Sequence, residues 1–291
     1  MAKNESPFRF RAPGVMARLH LDDLWLRAAS ALVLVTAAVA TLILGGPIFV
    51  LFWLVGALCV HWEWQRLIGA PLPWFRLFGG GLELCAAAIL YRMRQAELAF
   101  LLLPLAAAFC AWAAGKGFRL WAATGVFYAG GLLLATLTLR HAPFFGSCAI
   151  GWLFAVVWGT DVFAYFGGRL IGGPKLAPAI SPGKTWSGFC VGVVCGAGFG
   201  ALAAHFWPNV DAPLGPLFLL GLVAAALAQG GDLFESWIKR RFNVKDSSGL
   251  IPGHGGFMDR LDGFIAAAIF AALFGLSRGL PSAAAGLFFW P

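Results

Sequence analysis

Between Ala28 and Trp62 the chain carries no formal charge. A helix needs only about 20 consecutive apolar residues to cross the hydrocarbon core of a bilayer. Gly45-Gly46-Pro47 breaks this run midway, so it reads as two helices joined by a tight turn. Further apolar runs lie at about 77–91, 98–114, 120–139, 144–160, 187–207, 214–231 and 263–280, with Glu83 inside the third span of the chain. The runs are continuous rather than alternating, which favours helices over a barrel. Of the 291 residues, 60% are hydrophobic and 12% are charged, roughly half the charge of an ordinary soluble domain. That balance excludes a soluble enzyme, a disordered tail and a disulfide-stapled secreted domain. The expected fold is all-α: a polytopic integral membrane protein of about nine transmembrane helices. The tail from Pro281 to Pro291 is too short to cross. No repeat and no linker divides the chain. It reads as an N-terminal segment 1–27, transmembrane helices 28–140, and a C-terminal transmembrane region 141–291. The six cysteines (Cys59, Cys85, Cys110, Cys148, Cys190, Cys195) form no CxxC pair and read as buried small hydrophobes.

Lysine and arginine in short loops set the orientation. Lys3, Arg9, Arg11, Arg18 and Arg27 place the N-terminus in the cytoplasm, and no small-residue cleavage site follows, so the first span reads as uncleaved. Alternation then puts Arg66 and Arg76, Lys116 and Arg119, Arg169, Lys175 and Lys184, and finally Lys239 to Arg260 on the same side. The loops at 45–47 and 208–213 lack both residue types, whereas Arg92 and Arg94 fall on the wrong side. The net charge of +8 therefore reads as topology and attraction to anionic lipid, not as a nucleic-acid surface.

Acidic residues are scarce, so their places are informative. Asp161, Asp232, Glu235, Asp246, Asp259 and Asp262 gather at the expected ends of three late spans, on one membrane face. Asp232 and Glu235 share a helical face, as do Asp259 and Asp262. Charges flank apolar helices wherever water begins, but these keep company with Lys184, Lys239, Arg240, Lys245, His254, Arg260 and many glycines. Carboxylates among such cations suit Mg²⁺ bound together with a polyphosphate. Asp232 and Asp259, from different helices, are the expected Mg²⁺ ligands, with Asp161 and Asp262 closing the site or holding a second cation. Gly183-Lys184-Thr185 looks like the end of a P-loop, but Pro178 stands where that motif needs glycine. It reads instead as a loop feeding a helix N-terminus, which attracts anions, although a plain cap explains Ser181 or Thr185 equally well.

The segment from Ser236 to Asp262 closely resembles the signature of the phosphatidate cytidylyltransferase, or CDP-diacylglycerol synthase, family. That pattern runs Ser-x-apolar-Lys-Arg, four residues, Lys-Asp, a small residue, then Pro-x-His-Gly-Gly and Asp-Arg-x-Asp, and every fixed position is present. Upstream, Asp161, Ala164, Tyr165, Gly167, Gly168 and Arg169, and Ser181-Pro182 with Lys184-Thr185, resemble two further family segments. The motifs span about 161 to 262. One position departs: Ser187 stands where the family usually has Glu. The resemblance implies that CTP and phosphatidate give CDP-diacylglycerol and pyrophosphate with Mg²⁺, by in-line attack of the lipid phosphate on the CTP α-phosphate. A phosphate oxygen is already a nucleophile, so no strong general base is needed. Catalytic roles are then expected of Asp232, Asp259, Lys239 and Arg260. Substrate contacts are expected of Ser181, Lys184, Thr185, Arg240, Lys245, Asp246, His254, Gly255 and Gly256. The expected setting is a bacterial inner membrane with bulk lipid as partner, no nucleic acid, and a homodimer left open. A CDP-alcohol phosphatidyltransferase would need Arg shortly after Asp262-Gly263, where Phe264, Ile265 and Ala266 stand. A transporter would carry its carboxylates mid-span rather than at span ends.

Overall fold

The computed structural model describes residues 13–142, 145–208, 210–253 and 255–290. His254 and the residues before Pro13 lie outside the described residues. Within them the helices are α1 (Pro13–Leu44), α2 (Gly46–Leu67), α3 (Pro73–Arg92), α4 (Ala96–Ala114), α5 (Arg119–Arg140), α6 (Gly146–Ile171), α7 (Trp186–His205), α8 (Leu214–Arg241), α9 (Met258–Ser277) and α10 (Ala283–Phe288). Each of the nine expected spans falls on one of α1 to α9. Among the described residues, eight helices, α2 to α9, are long and apolar enough to cross a membrane, while the apolar part of α1 is the shorter Ala28–Leu44. The fold is an all-α polytopic bundle, and α10 is a six-residue turn of helix packed against α9.

The turn between α1 and α2 is where the glycines put it. Gly45 has φ +62°, a left-handed backbone that glycine adopts without strain. The Arg140 guanidinium fills the space where its side chain would be and donates to the Leu42 carbonyl at 3.3 Å. The core runs along α5 and α6, the two most buried spans, while α4 presents most of its surface outward. Trp53 is at its centre, stacked on Phe264 at 4.9 Å and next to Phe154 at 6.3 Å.

Three expectations are corrected. Two helices outrun their apolar stretches: α6 continues ten residues beyond Asp161 to Ile171, and α8 nine beyond Asp232 to Arg241. A charged residue ends an apolar run without ending the backbone hydrogen bonding of the helix. Arg76 is not a loop charge but lies in the first turn of α3, fully buried, donating to carbonyls of Gln65, Ala70 and Pro71. It satisfies the backbone groups left open where α2 gives way to α3. Finally, of the six cysteines only Cys110 and Cys148 are buried, and Cys190 is exposed. In an apolar span a small side chain can as well face outward as inward.

Candidate active site

Between α6 and α7 the chain makes a short antiparallel hairpin, β1 (Lys175–Ala177) and β2 (Ser181–Thr185), where a plain loop was expected. Thr185 ends it as the N-cap of α7, its hydroxyl accepting from the Gly188 amide at 3.1 Å. Ser187 donates to the Gly172 carbonyl, tying the end of α6 to the start of α7. Helix α7 then lies almost backbone to backbone on α6. Gly188, Gly192, Gly196 and Gly200 recur every four residues, and a side chain on Gly192 or Gly196 would run into the Thr160 backbone at 2.7 Å. Small residues at this spacing are what lets membrane helices approach closely. A similar contact joins α8 and α9, where a Cβ on Gly231 would stand 2.5 Å from the Asp262 carbonyl. These two contacts bring Asp161, Lys184, Asp232 and Asp262 to one place.

That place is a cavity of about 900 Å³. One end is polar, lined by Asp161, Lys184, Gln229, Asp232, Asp259, Arg260 and Asp262. The other is apolar, walled by Leu34 and Val35 of α1, Phe52 and Trp53 of α2, and Phe154 and Trp158 of α6. At the polar end Lys184 Nζ pairs with Asp232 at 2.7 Å and donates to Gln229 Oε1 at 2.9 Å. Gln229 Nε2 in turn donates to Asp161 at 3.3 Å. Ser236 reaches the other Asp232 oxygen at 3.4 Å.

Asp259 is held differently. Its Oδ2 accepts from the Ser247 amide (3.0 Å), the Ser247 hydroxyl (2.8 Å) and the Gly256 amide (2.8 Å). Its Oδ1 pairs with Lys239 at 2.6 Å, and Lys239 also pairs with buried Glu235 at 2.7 Å. Gly255, at φ +81°, would set a side chain 2.8 Å from that same Oδ2.

The structure therefore divides the expected site residues. Asp161, Lys184, Thr185, Asp232, Asp259, Arg260 and Asp262 line the cavity. Lys239 stands behind it with its charge committed to two carboxylates. Arg240, Lys245 and Asp246 are exposed, and neither they nor Ser181, Gly255 and Gly256 line the cavity. Asp161 and Asp232 lie inside α6 and α8 rather than at their ends, each at the point where the apolar stretch of its helix stops. Two polar residues escaped the sequence reading. Gln229 bridges Lys184 and Asp161, and a lone amide in the apolar run of α8 was its signal. Glu63 of α2 is fully buried against the signature loop, and it ends the first charge-free stretch as Asp161 ends a later one.

Among the described residues, no three histidine, cysteine or acidic side chains converge as a ready-made metal cage. Mg²⁺ does not ask for one, since it binds through one or two carboxylates together with substrate phosphates and water. Hard oxygen donors on four aspartates around one cavity fit such an ion.

Comparison with known proteins gives the family. The model of the cytidylyltransferase family matches residues 25–277, extending the likeness well upstream of the motifs. A Brucella abortus biovar 1 protein called phosphatidate cytidylyltransferase is 40% identical over 274 residues, 92% of this chain and 99% of the relative. The protein of that name from Brucella suis biovar 1 is similar to the same extent, 40% over 274 residues. One from Haemophilus influenzae is 40% identical over 151 residues, 51% of this chain and 52% of its own length. A helical membrane bundle, a cavity rich in aspartate and a family match over most of the sequence lead to one statement: the chain belongs to the cytidylyltransferase family, and it is a nucleotidyltransferase enzyme.

Proposed function

We propose that the protein transfers the cytidylyl group of CTP to phosphatidate, releasing pyrophosphate and leaving CDP-diacylglycerol in the membrane. The observation that carries this reading is the cavity itself, which joins an apolar wall from α1, α2 and α6 to an end built of aspartates and Lys184. A lipid phosphate is the kind of molecule that needs both. In the reaction a phosphatidate oxygen forms a bond to the α-phosphorus of CTP, and the bond from that phosphorus to the oxygen bridging to the β-phosphate breaks. Pyrophosphate carries away the electron pair. The names of the relatives support this pairing of substrates.

Asp232 and Asp259, with Asp161 and Asp262, would hold Mg²⁺, or Mg²⁺ and a second cation. When bound, the metal supplies positive charge against the triphosphate. Asp259 keeps Oδ1, beside Lys239, for that task while Oδ2 anchors the loop. Lys184 and Arg260 take the phosphate oxygens, and Gln229 aims Lys184 by holding its ammonium beside Asp232. Lys239 orients Asp259 rather than touching substrate. Thr185 fixes the end of the hairpin, Gly255 and Gly256 close the loop on Asp259, and Ser181, Arg240, Lys245 and Asp246 would meet the nucleotide where it extends beyond the cavity. The setting is the bacterial inner membrane, with the N-terminus and the motif loops on the cytoplasmic side, where CTP is found.

The test is direct. Purified protein given CTP, phosphatidate and Mg²⁺ should form a cytidine-containing lipid and pyrophosphate in equal amounts, read by mass spectrometry and a pyrophosphate assay. A folded preparation that forms neither would refute the reading.

A further inference from the structure

We infer that Glu63, which lies in α2 and is far in sequence from the C-terminal motifs, is a positioning residue for the reacting groups on α9. The inference rests on the cytidylyl-transfer reading for what those groups do, and on geometry alone for how they are held.

The first amides of a helix have no partner within it and need an acceptor from elsewhere. A Ser, Thr, Asp or Asn at the N-cap normally provides one. The N-cap of α9 is Phe257, which has no such side chain. Glu63 takes its place from another helix. Its Oε1 accepts from the Phe257 amide at 2.9 Å and its Oε2 from the Met258 amide at 2.7 Å. A carboxylate there also meets the positive end of the helix dipole.

The same carboxylate grips the loop before α9. The Ser248 hydroxyl donates to Oε1 at 2.5 Å, and the Ser247 hydroxyl lies 3.2 Å from Oε2. That Ser247 hydroxyl is also 2.8 Å from Asp259 Oδ2. One hydroxyl carries one proton, so it is shared between the two carboxylates or alternates between them, and either way it joins Glu63 to Asp259. Gly256 shows how tightly the pair closes: a side chain there would overlap both the Ser247 hydroxyl and the Glu63 carboxylate. Asp259, Arg260 and Asp262 follow within the next turn of α9, so their places are set by where that helix starts.

A residue that only filled space would accept an isosteric amide. The variant Glu63→Gln would instead turn an NH₂ donor toward a backbone N–H donor, so it separates the two roles. With purified full-length protein, this variant should lose about 10- to 100-fold in kcat, the usual range for residues that hold a reacting group from behind. KM for CTP and phosphatidate should change little. Hydrogen exchange should speed up at the Phe257 and Met258 amides and stay slow along α5 and α6. Unchanged kcat, or unchanged exchange at those amides, would overturn the inference. Should Glu63→Gln fail to fold, the double variant Ser247→Ala, Ser248→Ala decides: lowered kcat with exchange confined to the loop supports the positioning role, and normal kcat refutes it. A parent enzyme that makes no cytidine lipid would defeat the reaction instead, while exchange would still report on the anchor.

Discussion

Asp232 and Asp259 carry the same charge beside the same cavity, yet their surroundings give them different duties. Asp232 faces Lys184 and Ser236, whereas Asp259 gathers two amides, a hydroxyl and a lysine. In the proposed mechanism, replacing either by asparagine should lower turnover about 100-fold or more, because charge that would hold a cation is lost while size is kept. The two variants should part company in stability. Asp232→Asn should melt like the parent in detergent, and Asp259→Asn should melt lower and expose the loop between α8 and α9 to protease. Equal melting temperatures would mean that the Asp259 contacts do not hold the loop. The aspartates themselves were legible in the sequence because acids are rare in so apolar a chain. Glu63 was not, because it sits in a span with no recognised motif, and nothing in a linear sequence says that α2 will meet the start of α9. Arg76 misled for a related reason: an arginine next to an apolar run looks like a topology signal, whether it faces water or caps buried carbonyls.

At the level of elements, apolar runs located every span but misjudged where the helices stop. The runs report where apolar side chains stop, not where backbone hydrogen bonding does. The helices α6 and α8 continue beyond that point, so acids expected at helix ends lie within helices. The β1–β2 hairpin was equally hidden, since Ser-Pro-Gly-Lys-Thr has no alternating pattern to announce a strand. Its last residue offers a clean test. Thr185→Ala removes the cap of α7 and should cost about 1 kcal/mol of stability, while Thr185→Ser keeps the hydroxyl and should restore it. Because Thr185 also lines the cavity, KM for both substrates should be measured on the same pair. A raised KM in Thr185→Ala that Thr185→Ser does not rescue would mean its methyl group, not the cap, matters to the substrate.

Across the whole molecule, the bundle puts the loop before α8 and the loop after it at opposite ends of one spanning helix. In a cysteine-free background, single cysteines at Asp211 and Lys245, both exposed, should therefore react oppositely with an impermeant thiol reagent added to intact cells. Position 211 should label and position 245 should not; the reverse pattern would invert the orientation. Neighbouring positions suit the test less well, since Val210 is buried and Ser247 is tied to two carboxylates. The two-ended cavity has a further kinetic meaning. Of the two substrates it accommodates in our reading, one diffuses in three dimensions and the other in two. For the second, molarity is not the governing variable: turnover follows its mole fraction in the surrounding bilayer or micelle. Added inert detergent thus acts as a diluent that slows the enzyme without touching it, and the same enzyme in a crowded membrane responds to lipid composition before it responds to lipid amount.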